Sequence, residues 1–298
     1  MKHNMISLIQ RVLATVGRVT LPNLSNSIGI ARLRYIQTLY ERPEYQNPDT
    51  FIRDFLSPPV RWFSMLQGKL QLSKLRLRPE YYYCLARTKY YDQVFTDAMR
   101  SNVNFIVNIG SGTDTRAYRY AEGLREKKIK VLECDQPQSI FIKQKLAKQK
   151  WRTDHVTYVS IDLNDGSWLD LGTWLAEISS PILVMLEGVS TYIDEESFVQ
   201  FLDFIAVKLP AGSSVAYDYK IRGIDDEFGR KDGVKRPFRL PATKKDIIAF
   251  HEARGYKLQY MELSSELSSR LLPNLDRSDA GRFAEDCLLK LTVAQKIT

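Results

Sequence analysis

Four short stretches in the middle of the chain carry residues suited to holding a polar ligand: Gly110-Ser111-Gly112, Asp135, Asp162 and Glu187. Each closes, or nearly closes, an apolar run. Glycine there lets the chain turn tightly and brings a ligand close to the backbone. Carboxylates accept hydrogen bonds from hydroxyl, amino and ammonium groups. Taken singly, each acid also reads as a helix cap or a solvated turn, and glycine turns are common. Three acids beside a glycine turn, at corresponding places, carry more weight than any one of them.

The runs that position these residues are strand-like. Phe105, Ile106, Val107 and Ile109 read as a buried parallel strand that stops at the glycines. Thr113 or Asp114 can cap a helix beginning near Thr115. Residues 129–132 lead to Asp135, 156–161 to Asp162, 181–186 to Glu187, and 213–219 form a fifth strand. Helical stretches between them imply a mostly parallel sheet, with ligand outside the carboxyl ends of its strands. The dinucleotide fingerprint wants a third glycine where Thr115 stands, and the phosphate-binding GxxxxGK[ST] pattern is absent. An acid ending the second strand suits ribose hydroxyls. A ligand with a ribose and no phosphate fits best, and S-adenosylmethionine (SAM) is the common one. Its own carboxylate needs a cation or backbone N–H groups, and Arg87 is available.

Around this centre, residues 1–100 show helical periodicity, and 101–298 hold the strands. Ile6, Ile9, Leu13 and Val16 share one face of an amphipathic helix, which reads better than a secretion signal. Asp49 opens a helical segment that Ser57-Pro58-Pro59 ends, and a helix over 79–99 carries Tyr81, Tyr82, Tyr83, Tyr90 and Tyr91. Such aromatics could line a substrate channel, though packing against the sheet is the commoner use. Asp194 caps a helix whose Phe198, Phe201, Leu202, Ile205 and Leu209 lie together. The polar stretch at about 221–242 is long for a loop, which suits a lid or substrate arm. A helix over 243–254 and strands over 256–263 and 287–294 complete the chain.

Composition is that of an ordinary globular protein, at 44% hydrophobic and 26% charged residues over 298 positions. Cys84, Cys134 and Cys287 lie far apart, as do the three histidines. That argues for a reducing, cytoplasmic setting and against a metal site. No run of about 18 apolar residues is present, so no membrane span is expected. The net charge of +8 could attract an acidic partner. Lys143, Lys145, Lys148, Lys150 and Arg152 cluster, best read as the solvated face of one helix, and no nucleic-acid module is visible.

The motifs Ala86-Arg87-Thr88 with Asp92, NIGSGTDTRAYR, LECDQPQSIFIKQKL, SIDLND and LEGVSTYI, with NPDTFIRDFL upstream, resemble the leucine carboxyl methyltransferase family over residues 30–220. The resemblance implies a class I SAM-methyltransferase (Rossmann-like) fold, a seven-stranded α/β sheet with an N-terminal helical cap. By motif, Arg87 would bind the SAM carboxylate, and Gly110 and Gly112 would shape the methionine pocket. Asp135, followed by Gln136, would hold the ribose; Asp162 and Leu163 would frame adenine; Glu187 would face the amino group. The GSG triplet departs from the family's usual glycine pattern. LEGVSTYI looks closer to bacterial O-methyltransferases of polyketide and peptide natural products, microcystin-type tailoring enzymes among them.

An alcohol nucleophile must lose its proton, so a general base is expected within reach. Tyr192 and Asp218 lie at strand ends on the right edge, although plain structural roles suit both. His251 shares a face with Ile247 and Ile248 and reads as packed. The expected activity is methylation of a hydroxyl on a hydrophobic scaffold, free or tethered to an acidic carrier protein. Carboxyl methylation is the second enzymatic reading. A SAM-binding regulator without turnover and an NAD(P)-dependent oxidoreductase are the readings from other classes.

Overall fold

The computed structural model describes residues 25–72, 78–224, 226, 228–230, 234, 236–273 and 286–294. The expected helix at the extreme N-terminus lies outside these residues. Helices α1 (Ser25–Tyr40), α2 (Pro58–Lys69) and α3 (Arg78–Arg100) precede the sheet. Asp49 caps a 3-10 turn over Thr50–Phe55, accepting the Ile52 amide at 3.2 Å.

The sheet then alternates with helices: β1 (Phe105–Ile109), α4 (Arg116–Arg119), α5 (Ala121–Glu126), β2 (Lys130–Asp135), α6 (Pro137–Lys150) and β3 (Val156–Ser160). Next come α7 (Leu171–Ala176), β4 (Leu183–Leu186), α8 (Glu195–Lys208), β5 (Ser214–Ile221) and β6 (Arg239–Leu240). The chain finishes with α9 (Lys244–Glu252), β7 (Tyr256–Leu263), α10 (Ser264–Leu271) and β8 (Asp286–Val293). Seven strands run in the order β3-β2-β1-β4-β5-β8-β7, and the two-residue β6 pairs beside β5. The first five are parallel; β8 runs antiparallel between β5 and β7.

Side chains alternate across the sheet, as the two-residue strand period requires. Ile106, Val131, Leu183 and Leu288 pack on the side of α3, with Tyr81, Tyr91 and Phe95. Val107, Leu132, Val184 and Leu289 face the other way, onto Phe198, Phe201 and Ile205 of α8. Each such buried side chain stabilises the fold by about 1.5–3 kcal/mol. All five tyrosines of α3 are buried, mostly in packing. Tyr83 is the exception that lines a cleft.

Two expectations need correction. Lys143 is not on a solvated face. Ser139, Ile140, Lys143 and Ala147 form the inner stripe of α6 at helical spacing, so Lys143 meets the sheet. It pairs there with buried Glu133 and donates to the Ser111 carbonyl at 3.0 Å. Burial still pushes the Glu133 carboxyl up to about 7, against the pull of Lys143. Lys145, Lys148, Lys150 and Arg152 are exposed as expected. Asp194 stands at the start of α8 without capping it through its side chain. Its Oδ1 instead accepts the Arg236 amide at 3.0 Å, because the insert after β5 folds back across this helix end.

His251 is packed, as expected. Its Nδ1–H donates to the Ile247 carbonyl at 2.6 Å, and Nε2 accepts from the Tyr217 hydroxyl at 2.8 Å. Burial lowers its pKa to about 4. The unfolded chain takes up that proton near pH 6.5, so this histidine's contribution is intact above that pH. It is lost as pH falls towards 4, by up to about 3 kcal/mol. Urea midpoints measured between pH 7 and 4 are expected to fall less steeply in His251→Gln than in the wild type.

Candidate cofactor and acceptor cleft

The carboxyl ends of β1, β2, β4 and β5 open into one cleft of about 710 Å³. That volume lies within the range of small-ligand sites. Every residue expected at the site lines it: Arg87, Gly110, Gly112, Asp135, Gln136, Asp162, Leu163, Glu187, Tyr192 and Asp218. The architecture brings Gly110, Asp135, Asp162 and Glu187 together, since residues at the ends of neighbouring parallel strands must share an edge. Arg87 comes instead from α3. Tyr192 and Asp218, expected at strand ends, come from a 3-10 turn after β4 and from within β5.

Gly110 follows β1 with φ +65°, and a Cβ there would stand 2.3 Å from Val189 Cγ2. Conformation and space both demand glycine. Across the turn, the Gly112 N–H donates to Asp135 Oδ2 at 2.6 Å and the Gln136 N–H to Asp135 Oδ1 at 2.7 Å. Burial raises the Asp135 pKa, with these amide donors opposing. The Gln136 side chain donates to Asp162 Oδ2 at 2.7 Å, and the Asn164 amide to Asp162 Oδ1 at 2.9 Å. Leu163 is buried beside them. The glycine turn, Asp135 and the apolar Leu163 thus sit in sequence along the edge.

At the other end, Arg87 projects from α3 under Gly188, whose φ is +67° and whose missing Cβ would meet the guanidinium at 3.1–3.3 Å. Arg87 Nε lies 3.4 Å from Glu187 Oε1, and its Nη1 lies 3.4 Å from Asp218 Oδ2. Asp218 Oδ1 accepts from the Tyr91 hydroxyl at 2.8 Å and from the Gly188 N–H at 2.7 Å. Burial raises the pKa of Asp218 and that of the Tyr192 phenol. Tyr192 therefore keeps its proton at neutral pH and is poorly suited to act as a base.

Sequence reasoning missed the ion network behind this wall. Arg116 is fully buried and pairs with Asp92, Asp114 and Glu187, each at 2.7 Å. Asp114 also accepts the Arg116 amide at 2.8 Å, but neither it nor Thr113 is the N-cap: α4 begins at Arg116 after Thr115, which makes no side-chain cap. Thr115, in the third-glycine position, is buried and donates to Asp49 Oδ1 at 2.8 Å, next to the Arg34–Asp49 pair. Its hydroxyl thus serves α1 and the 3-10 turn. Also missed were Lys220 and Asp286, a buried pair 2.9 Å apart that lines the deep end of the cleft.

The strand order and this cleft define a class I SAM-methyltransferase fold. Its backbone superposes on a provisionally assigned methyltransferase from Thermobifida fusca YX (TM-score 0.55, 11% identity, 89% of this chain and 94% of that one). It does so equally on a DUF574 family protein from Streptomyces avermitilis MA-4680 (TM-score 0.55, 15% identity, 88% and 96%). At the level of sequence, the leucine carboxyl methyltransferase family matches residues 27–206, and the chain belongs to that family of SAM-dependent methyltransferases. Relatives provisionally assigned as SAM-dependent methyltransferases include one from Mycobacterium ulcerans, 29% identical over 59% of this chain and 58% of its own length. Another, from Mycobacterium avium, is 32% identical over 66% and 68%. The chain thus spans less than three fifths of the Mycobacterium ulcerans relative.

Proposed function

We propose that the chain binds SAM in this cleft and transfers its methyl group to a hydroxyl of a hydrophobic acceptor. When bound, SAM supplies an electrophilic methyl on a sulfonium that is primed to leave. The chain's part is to hold, orient and exclude water. Asp135 would take the ribose, Asp162 and Leu163 the adenine, and Gly110 and Gly112 the methionine, with Glu187 facing its ammonium and Arg87 its carboxylate. The carrying observation is that, at the acceptor end, the cation not assigned to SAM already faces a carboxylate: Lys220 faces Asp286. A neutral hydroxyl fits such an end better than an acceptor carboxylate does.

Likeness to the bacterial tailoring branch supports a polyketide or peptide scaffold. The exposed Lys145, Lys148, Lys150 and Arg152 offer a docking face if that scaffold rides on an acidic carrier. On this reading residues 1–100 act as a cap over a core at 101–298, with an acceptor-side insert at 221–242. Carboxyl methylation is the second reading, favoured by the family match itself. Product lability separates the two: a methyl ester is cleaved by mild base, and a methyl ether survives. Calorimetric titration with SAM tests the common ground, and no uptake at millimolar ligand would reject it. Arg87→Ala is expected to weaken SAM at least about tenfold, the range for hydrogen bonds to a charged group. Unchanged affinity in that variant would remove Arg87 from the site.

A further inference from the structure

We infer that the deep end of the cleft is a seat for a phenolic acceptor whose hydroxyl proton passes to the Asp286 carboxylate. This rests on the hydroxyl reading above and names its acceptor class. Asp286 opens β8 and stands opposite Lys220 of β5 in the antiparallel register. Both are 5% exposed, and Lys220 Nζ donates to Asp286 Oδ1 at 2.9 Å. A buried carboxylate needs such a counter-charge. The ammonium also lies 4.5 Å from the centroid of the Phe228 ring.

The other two candidate bases are less suited. Asp218, within β5, holds Tyr91, Gly188 and Arg87 together. Tyr192 is a neutral phenol whose burial raises its pKa. Asp286 meets Lys220 and the Tyr83 hydroxyl of α3, two groups where three hold Asp218, and it lines the cleft.

The walls indicate the shape of what enters. Tyr83, Tyr192 and Phe228 line this end, with the Tyr192 and Phe228 centroids 5.9 Å apart. Aromatic walls favour a flat ring, which packs on their faces and edges. Lys220 is already paired with Asp286, and Asp218 stands near that carboxylate, so an anionic acceptor would meet groups of its own sign. A phenol brings no charge and one donor. When its O–H bond breaks, the proton goes to Asp286, and the electron pair stays on the oxygen that will be methylated.

The test uses protein loaded with S-adenosylhomocysteine and saturation-transfer NMR, with millimolar p-cresol and p-toluate as probes. Cresol is expected to bind and toluate to be rejected. Asp286→Asn should weaken cresol at least about tenfold, the cost of losing a hydrogen bond to a charged partner, with affinity for S-adenosylhomocysteine unchanged. Phe228→Ala, on a half-exposed ring that cannot unfold the core, should weaken cresol as well. If Asp286→Asn also loses S-adenosylhomocysteine, Phe228→Ala decides the matter. Toluate binding as well as cresol, no cresol binding, or variants that bind it like the wild type would each overturn the seat. Failure to take up S-adenosylhomocysteine at all would reject the cofactor reading, and the seat with it.

Discussion

Arg116→Met is expected to cost about 3–5 kcal/mol of folding stability, the range for breaking a buried ion pair from one side. The guanidinium is wholly buried and meets Asp92, Asp114 and Glu187 at 2.7 Å each, and it donates to the Thr88 carbonyl at 3.1 Å. Methionine fills the space and supplies no charge. Asp92 keeps Arg119 at 2.7 Å, and Asp114 keeps the Asn108 side chain at 3.0 Å; Glu187 falls back on Arg87 at 3.4 Å. The pH dependence gives a second readout. Arg116 and its neighbours hold the Asp92 and Asp114 carboxyls below the usual range, against the opposing effect of burial. Folded pKa values below the unfolded ones stabilise the protein above the ordinary carboxylate range, and that contribution disappears as pH falls through them. The wild type should therefore lose stability on acidification below about pH 4, the unperturbed aspartate value. In Arg116→Met this loss should shrink or reverse, because a buried carboxylate without its cation prefers to be protonated. Urea melts of both proteins from pH 7 to 3 make the comparison. An unchanged midpoint at neutral pH would show that the network contributes nothing.

Asp135→Ala is expected to weaken SAM by about 1.5–3 kcal/mol, or about ten- to a hundredfold and a little more. Two effects combine. The carboxylate is the proposed partner of the ribose hydroxyls, and it also receives the Gly112 and Gln136 amides at 2.6 and 2.7 Å. Its removal frees two backbone donors and loosens the glycine turn against β2. Asp135→Asn separates the contributions, since it keeps the shape and one acceptor. Calorimetry on the three proteins measures both steps. A dissociation constant in Asp135→Ala equal to that of the wild type would exclude the ribose role.

Much of the cleft lining was legible because its residues lie next to strong local patterns. Each acid or glycine closes an apolar run, and parallel strands bring such ends to one edge whatever the connections between them. Arg116 was not legible as a hub. An arginine in the first turn of a helix ordinarily reads as solvated, and its partners come from α3, its own turn and the end of β4. Lys143 failed for a related reason: in a lysine-rich helix, only contact with the sheet tells the buried position from its exposed neighbours. Lys220 and Asp286 are paired by antiparallel register alone, across 66 residues of chain. No spacing rule reaches that far. The insert was legible in its length, whereas its attachment to the start of α8 through Asp194 was not.

Arg239 fastens the insert from behind. One guanidinium nitrogen donates to Thr191 Oγ1 at 2.9 Å and the other to the Phe228 carbonyl, while β6 adds two residues beside the end of β5. The family match stops at residue 206, before Lys220, Phe228 and Asp286. That rivet holds the insert by Thr191 and the Phe228 carbonyl, apart from the glycine turn that follows β1. The stretch the family has in common and the stretch that carries Lys220, Phe228 and Asp286 thus meet along a single sheet, a modular division of labour.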